Sequence, residues 1–390
     1  VSRAEEILDG LGGGARLSGG DAETLLREGD LLDVGLAADR VRRSRNDPRI
    51  ATYLIDRNIN YTNVCIYRCQ FCAFYRDAKS SEAYVLSKDE IGAKIRETLD
   101  LGGTGILLQG GVHAELPFAW YEETFRFIRR EFPRIHLHAL SAPEIYFLVK
   151  LTRMPLREVI SRLKDAGLQS IPGGGAEILD DVVRKRIWSL TKAPEEVWID
   201  VHRQAHFLGL RTTATMMFGV GESLASRVHH FRLIRELQDE TAGFTAFIPW
   251  TFQEENTALD GKVAISGGDD YLRTLAVSRL FFDNIVHIQG SWVTQGSRIG
   301  QVSLSFGADD LGSIMIEENV VAAAGARNRM DREEMERIIA EAGYVPAQRM
   351  TLYDGCTEGC CREGVESLKL KVESSKLGTF DPEHLVRAET

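Results

Sequence analysis

Cys65, Cys69 and Cys72 fall within eight positions of the polar stretch NVCIYRCQFCAFYRD, residues 63–77. The chain carries only six cysteines in 390 residues, and in a reducing compartment a core of this size needs no disulfide framework. A structural zinc site would want a fourth ligand from a second CxxC or Cys/His pair, and no such pair stands near these three. The CxxxCxxC spacing suits a different task. Three thiolates in one tight loop can each hold one iron of a 4Fe–4S cube and leave the fourth iron open for chemistry. Arg68 and Gln70 make the segment a polar loop, which argues against three cysteines serving as small core side chains.

The elements around that loop read as alternating strands and helices. TYLIDRNINYTNVC reads as one strand running into the cysteines, and TGILLQGG is a short apolar run closed by glycines. RIHLHALS, LQSIPGGG, RTTATMMFG, GFTAFIPW and NIVHIQGSW follow, separated by helical patterns such as PFAWYEETFRFIRREF and SRVHHFRLIRELQDE. Such alternation implies a parallel sheet with right-handed crossovers, and about eight units suggest an α/β fold of the (βα)8 TIM-barrel type. Functional groups then gather at the C-terminal strand ends, where these runs give way to glycines, polar residues or the cysteines. Residues 1–50 read as a short N-terminal helical extension, 51–355 as the barrel and 356–390 as a C-terminal tail. That tail holds Cys356, Cys360 and Cys361, whose CxxxCC spacing lacks a fourth cluster ligand and is expected to leave exposed thiols. A net charge of -10 disfavours broad contact with nucleic acid or anionic lipid. The N-terminal stretch has no signal-like apolar run and no window reaches twenty apolar residues, so a cytoplasmic enzyme acting on small molecules is expected.

CxxxCxxC with an aromatic residue before its last cysteine, here Phe71, resembles the signature of the radical S-adenosylmethionine (SAM) superfamily. The resemblance implies that the open iron chelates SAM and that the reduced cluster splits it to a 5′-deoxyadenosyl radical. It also implies site residues. Gln109, Gly110 and Gly111 occupy the place of the family's GGE-like element, which receives the SAM ammonium on backbone carbonyls. Glu177, in IPGGGAEI, stands where relatives use a carboxylate for the SAM amino group or ribose; no GKS or GKT follows to make this a phosphate loop. Arg184 could reach the SAM carboxylate or be a solvated helix residue. Met217 lies on the strand that passes the adenine in relatives, and Ser141 is counted with the SAM-binding set.

His138 shares a strand face with His136, and with Glu144 it is a candidate base; a satisfied core histidine is the alternative. Trp250, Gln253, Asn256, Gln289, Ser291 and Trp292 at other strand ends suit a neutral, nucleoside-like substrate with an aryl group. Over residues 50–355 the joined motifs, among them FGADDLGSIMIEENVVAAAG, resemble the branch that builds menaquinone through futalosine and the deazaflavin precursor. Within it they are nearest to the cyclases acting on dehypoxanthine futalosine, with aminofutalosine synthases and deazaflavin enzymes as neighbours and a non-catalytic iron–sulfur protein as a further alternative. The resemblance implies a flavodoxin or ferredoxin as electron donor. One departure is GVGES at 219–223, where Val220 replaces a histidine usual in relatives.

Overall fold

The computed structural model describes residues 1–11, 16–188 and 193–355, so Cys356, Cys360 and Cys361 lie outside the described residues. Helices α1 (Arg3–Leu11), α2 (Gly19–Glu28) and α3 (Leu31–Arg45) come first, followed by strands β1 (Ile50–Leu54) and β2 (Asp56–Asn60). Then come α4 (Lys88–Asp100), β3 (Gly105–Gln109), α5 (Phe118–Glu131), β4 (His136–Ala139), α6 (Ala142–Thr152), α7 (Leu156–Ala166) and β5 (Ser170–Ile171). The chain continues through α8 (Asp181–Ile187), α9 (Glu195–Phe207), β6 (Arg211–Phe218), α10 (Leu224–Thr241), β7 (Phe244–Thr251), α11 (Gly268–Phe281) and β8 (His287–Ile288). It closes with α12 (Trp292–Ser303), β9 (Asp310–Ser313), α13 (Val320–Ala323), α14 (Arg332–Glu341) and β10 (Val345–Gln348).

β2 to β8 form one curled parallel sheet of seven strands in chain order. Their connections are helical, as parallel pairing demands. The strand expected across residues 52–65 is instead two strands, divided at buried Ile55. β1 pairs with β9 and β10 in a separate parallel sheet, whereas β2 pairs with β3. A bridge between Gln289 and Asp310 carries the curl from β8 to β9. The barrel therefore has seven strands in its main sheet rather than eight, and the second sheet lies against its open side.

Local sequence explains the element boundaries that matter for the site. Ser87 and Glu90 make a capping box that starts α4, and Ser141 and Glu144 make another that starts α6 directly after β4. Helix α11 is buried on nearly every side because the barrel lies against one face and α3 against the other. Phe231, Phe247 and Phe282 meet there with ring centroids 4.6 to 5.6 Å apart, an edge-to-face and tilted cluster that fixes α10 and α11 on β7.

Candidate active site

The cysteines sit on the loop leaving β2, stitched to its neighbours by backbone hydrogen bonds. Cys65 N–H donates to Arg76 O at 3.2 Å, Ile66 N–H to Val112 O at 3.0 Å and Cys72 N–H to Cys69 O at 3.1 Å. Arg76 closes the loop with one guanidinium nitrogen donating to the carbonyls of Ala73, Phe74 and Tyr75 at 3.0 to 3.3 Å, while its Nε donates to Glu82 at 2.5 Å. All three cysteines line one cavity of about 170 Å³, with Phe71, Gln109, Gly110, Gly111, Ser141 and Glu177 on its other walls. Glu177 holds φ 42°, a left-handed conformation rare for a non-glycine residue. It is fixed there in part by Met217 N–H, which donates to its carbonyl at 3.0 Å.

A second cavity, about 300 Å³, fills the barrel beneath the first and shares Gln109, Gly174 and Val320 with it. His138 faces this space. Its Nδ1 lies 2.6 Å from Ser170 Oγ, and His136 Nε2 lies 2.7 Å from the same oxygen. A serine hydroxyl has one hydrogen, so Ser170 donates to one imidazole and accepts from the other. Burial lowers His138 to about 3 and His136 to about 4, so both rings are neutral at pH 7. Asp56, Asn58, Glu318, Arg349 and Thr351 line the same cavity. Burial pushes the Asp56 carboxyl up to about 6 against the Ser313 hydrogen bond and the Arg349 charge.

Residues 59–234 match the family model described as the radical SAM superfamily, and residues 241–358 match that of the CofH/MqnC C-terminal region. The chain is 46% identical over 353 residues to a cyclic dehypoxanthine futalosine synthase from Streptomyces coelicolor, spanning 90% of this chain and 88% of that one. This chain belongs to the radical SAM superfamily. It is also 39% identical over 356 residues to an aminodeoxyfutalosine synthase from Thermus thermophilus, spanning 90% of this chain and 94% of that one. The fold is similar to the crystal structure of a methylornithine synthase, with a TM-score of 0.67 at 19% identity over 89% of this chain and 97% of that one.

The cofactors of a radical SAM chain, a 4Fe–4S cluster and SAM, fit these residues. Among the described residues no three histidine, cysteine or acidic side chains could together hold a single metal ion, as a zinc site would need. A cube instead takes one thiolate on each of three irons, and three thiols around one cavity meet that requirement.

Other expected residues of this radical SAM chain are placed differently. Glu144 lies at the upper cavity, not the lower, and its carboxylate accepts from Tyr61 OH (2.7 Å), Gly110 N–H (3.1 Å), Ser141 N–H (2.7 Å) and Ser141 Oγ–H (2.5 Å). Those bonds make it a strut and helix cap on the wall of the upper cavity. Arg184 lines neither cavity; it donates to the carbonyls of Gly175, Ala176, Ile178 and Ala193 and stacks on Trp188 at 3.5 Å. It holds the glycine loop from beneath. Met217 is buried in the core and touches the site through its backbone alone. Gly110 and Gly111 are required by packing, since a Cβ there would come within 2.8 Å of the Tyr61 ring and 2.2 Å of Val64 O. Trp250, Gln289, Ser291 and Trp292 line the lower cavity; Gln253 folds back on Thr251, and Asn256 lines a cleft outside the cysteine loop. Val220 is buried away from both cavities. Asp56, Asn58, Glu318 and Arg349 were not expected, although the period-two series Asp56, Asn58, Asn60 signals a polar strand face.

Proposed function

We propose that the chain is a cyclic dehypoxanthine futalosine synthase, closing a bond between C4′ of the sugar and the aryl ring of dehypoxanthine futalosine in menaquinone biosynthesis. The observation that carries this reading is 46% identity over 90% of the chain to a relative of that name. It is supported by a lower cavity that shares Gln109, Gly174 and Val320 with the cysteine cavity and combines two tryptophans with amide and hydroxyl groups.

When bound at the upper cavity, the cluster and SAM would supply hydrogen-abstracting 5′-deoxyadenosyl radical chemistry. Cys65, Cys69 and Cys72 would hold the cluster, with Glu177 and Ser141 toward SAM and Gln109 between the two cavities. The protein's part below is to hold C4′ at the passage and the ring against C4′, excluding water from both. Trp250 and Trp292 would flank the aryl group. Rearomatisation releases one proton and one electron: His138, neutral and facing the lower cavity, would take the ring proton, with Ser170 fixing which of its nitrogens carries hydrogen, and a one-electron acceptor would take the electron. An external low-potential donor of flavodoxin or ferredoxin type would deliver electrons at the open cleft on the outer face of the loop, where Arg68 and Lys79 lie beside Cys69 and Cys72. Three thiol ligands and such a donor suit a cytoplasmic setting; among the described residues no helix is long and apolar enough to cross a membrane.

Anaerobic incubation of reconstituted protein with SAM, dithionite and dehypoxanthine futalosine should give the cyclic product and deoxyadenosine by mass spectrometry. Product from the aminofutalosine synthase substrate, and none from dehypoxanthine futalosine, would overturn the assignment.

A further inference from the structure

Strand β2 sends Asp56, Asn58 and Asn60 to one face, each pair about 7 Å apart along the strand. Asn60 lines the upper cavity; Asp56 and Asn58 line the lower one. Across from them Glu318 enters the lower cavity from the loop after β9. Both carboxylates are buried, with Asp56 9% and Glu318 7% exposed. Asp56 Oδ1 has no hydrogen-bond partner, and neither has Thr351 Oγ1 on the same cavity wall. Glu318 accepts from Asn58 Nδ2 at 3.1 Å and Val321 N–H at 2.7 Å.

Among the described residues no cation forms an ion pair with either carboxylate, although the Arg349 charge acts on Asp56 from a distance. The nearby Arg349 gives Nε and Nη2 to Asp310 at 2.5 and 2.9 Å and Nη1 to Met350 O at 3.2 Å. A buried carboxylate left in that state is costly until donors reach it. Among the described residues no three histidine, cysteine or acidic side chains converge here to hold a metal ion. A phosphate or carboxylate on the ligand would meet like charge. What fits is a neutral group bearing O–H, and each carboxylate oxygen keeps spare acceptor capacity for it.

We propose that Asp56, Asn58 and Glu318 form the subsite that recognises the hydroxyl groups of the substrate's sugar. This rests on the reaction assigned above. Val320, two residues after Glu318, lines both cavities, so a sugar held by Glu318 lies beside the passage to the cysteines. The aryl end then lies toward Trp250 and Trp292.

The test uses cluster-loaded, unreduced enzyme with SAM, so that nothing turns over, and titrates dehypoxanthine futalosine and its 2′-deoxy and 3′-deoxy analogues by calorimetry. Wild type should bind at least one deoxy analogue about tenfold more weakly than the parent compound. In Glu318→Gln and Asp56→Asn the parent compound should weaken by a similar factor, and the difference between parent and analogue should shrink toward parity. Equal affinity of wild type for parent and both analogues overturns the subsite without any variant, as does undiminished discrimination in both variants. A wild type that neither binds nor cyclises the parent compound overturns the reaction instead, so the two failures are distinct.

Discussion

Asp56→Asn should raise the stability of the fold at pH 8 and lose that gain as the pH falls. Burial outweighs the Ser313 hydrogen bond and the Arg349 charge and lifts the Asp56 carboxyl from 3.8 to about 6. A group raised in the folded state contributes its full stability below the unfolded value, and that contribution disappears as the pH climbs through the folded value. Asp56 is therefore neutral and harmless below about pH 4, and charged and costly above about pH 6. The gap between 3.8 and about 6, at about 1.4 kcal/mol for each pH unit, sets that cost at about 3 kcal/mol. Asparagine keeps an acceptor for Ser313 but forfeits attraction to Arg349, so a net gain of about 1 to 3 kcal/mol at pH 8 is expected. Anaerobic urea denaturation of both proteins at pH 8, 7, 6 and 5 measures it. The difference between the curves should be largest at pH 8 and smaller by about 1.4 kcal/mol at pH 5, the remainder of the pH-dependent part being lost toward pH 4. A difference independent of pH, or a wild type that is the more stable at pH 8, refutes the reasoning. The same variant should bind substrate less well, which is the usual trade between a destabilised site and its use.

Alanine at Cys65, Cys69 or Cys72 should each abolish the cluster and SAM cleavage, taking iron from about four per chain to almost none, whereas alanine at Cys356, Cys360 or Cys361 should leave it unchanged. About eight irons in wild type, falling to about four in a tail variant, would contradict a single cluster. Glu177→Gln should weaken SAM binding by about 1.5 to 3 kcal/mol and lower deoxyadenosine formation with it while the cluster absorbance persists; unaltered SAM affinity removes Glu177 from the ligand set. His138→Ala should still cleave SAM but release deoxyadenosine in excess over cyclic product, and a normal ratio would return that ring to core packing. Burial lowers His136 and His206 to about 4 and His138 and His230 to about 3. Their stabilising neutrality is complete above about pH 6.5 and is lost as the pH falls, at about 1 to 2 kcal/mol each by pH 5. The urea midpoint of wild type should drop steeply between pH 7 and 5, and a flat midpoint counts against it.

The parallel sheet was legible because each of its strands ends in a run that changes character at once, from apolar to glycine, polar or cysteine, with a helix-period segment following. Where that contrast is weak, the sequence misled. Residues 50–60 carry no glycine or proline to mark the break at Ile55, and only pairing with partners more than two hundred residues later assigns Ile50–Leu54 to the second sheet. Those partners, β9 and β10, are four residues each, too short for periodicity to declare them. The lower cavity's acidic wall escaped for the same reason. Glu318 lies in a loop and Asp56 opens the short polar strand β2, and they meet only because the second sheet folds against the open side of the first.

Glu144, Arg184 and Met217 show a different limit. Each was singled out by its residue type or by its place at or after a strand end, Arg184 lying on α8 beyond Glu177. Their side chains serve the scaffold: Glu144 caps α6 and ties it to Tyr61 and Gly110, Arg184 gathers three carbonyls of the loop that carries Glu177 together with that of Ala193, and Met217 fills core while its N–H holds Glu177 in a left-handed turn. Each oxygen of Glu144 accepts two hydrogen bonds, and both terminal nitrogens of Arg184 donate to backbone carbonyls, so these groups are engaged chiefly with the protein. Spacing in a sequence reports which groups reach a site. How many partners each already has separates a residue that acts there from one that keeps the site open, and that count exists only once the chain is folded.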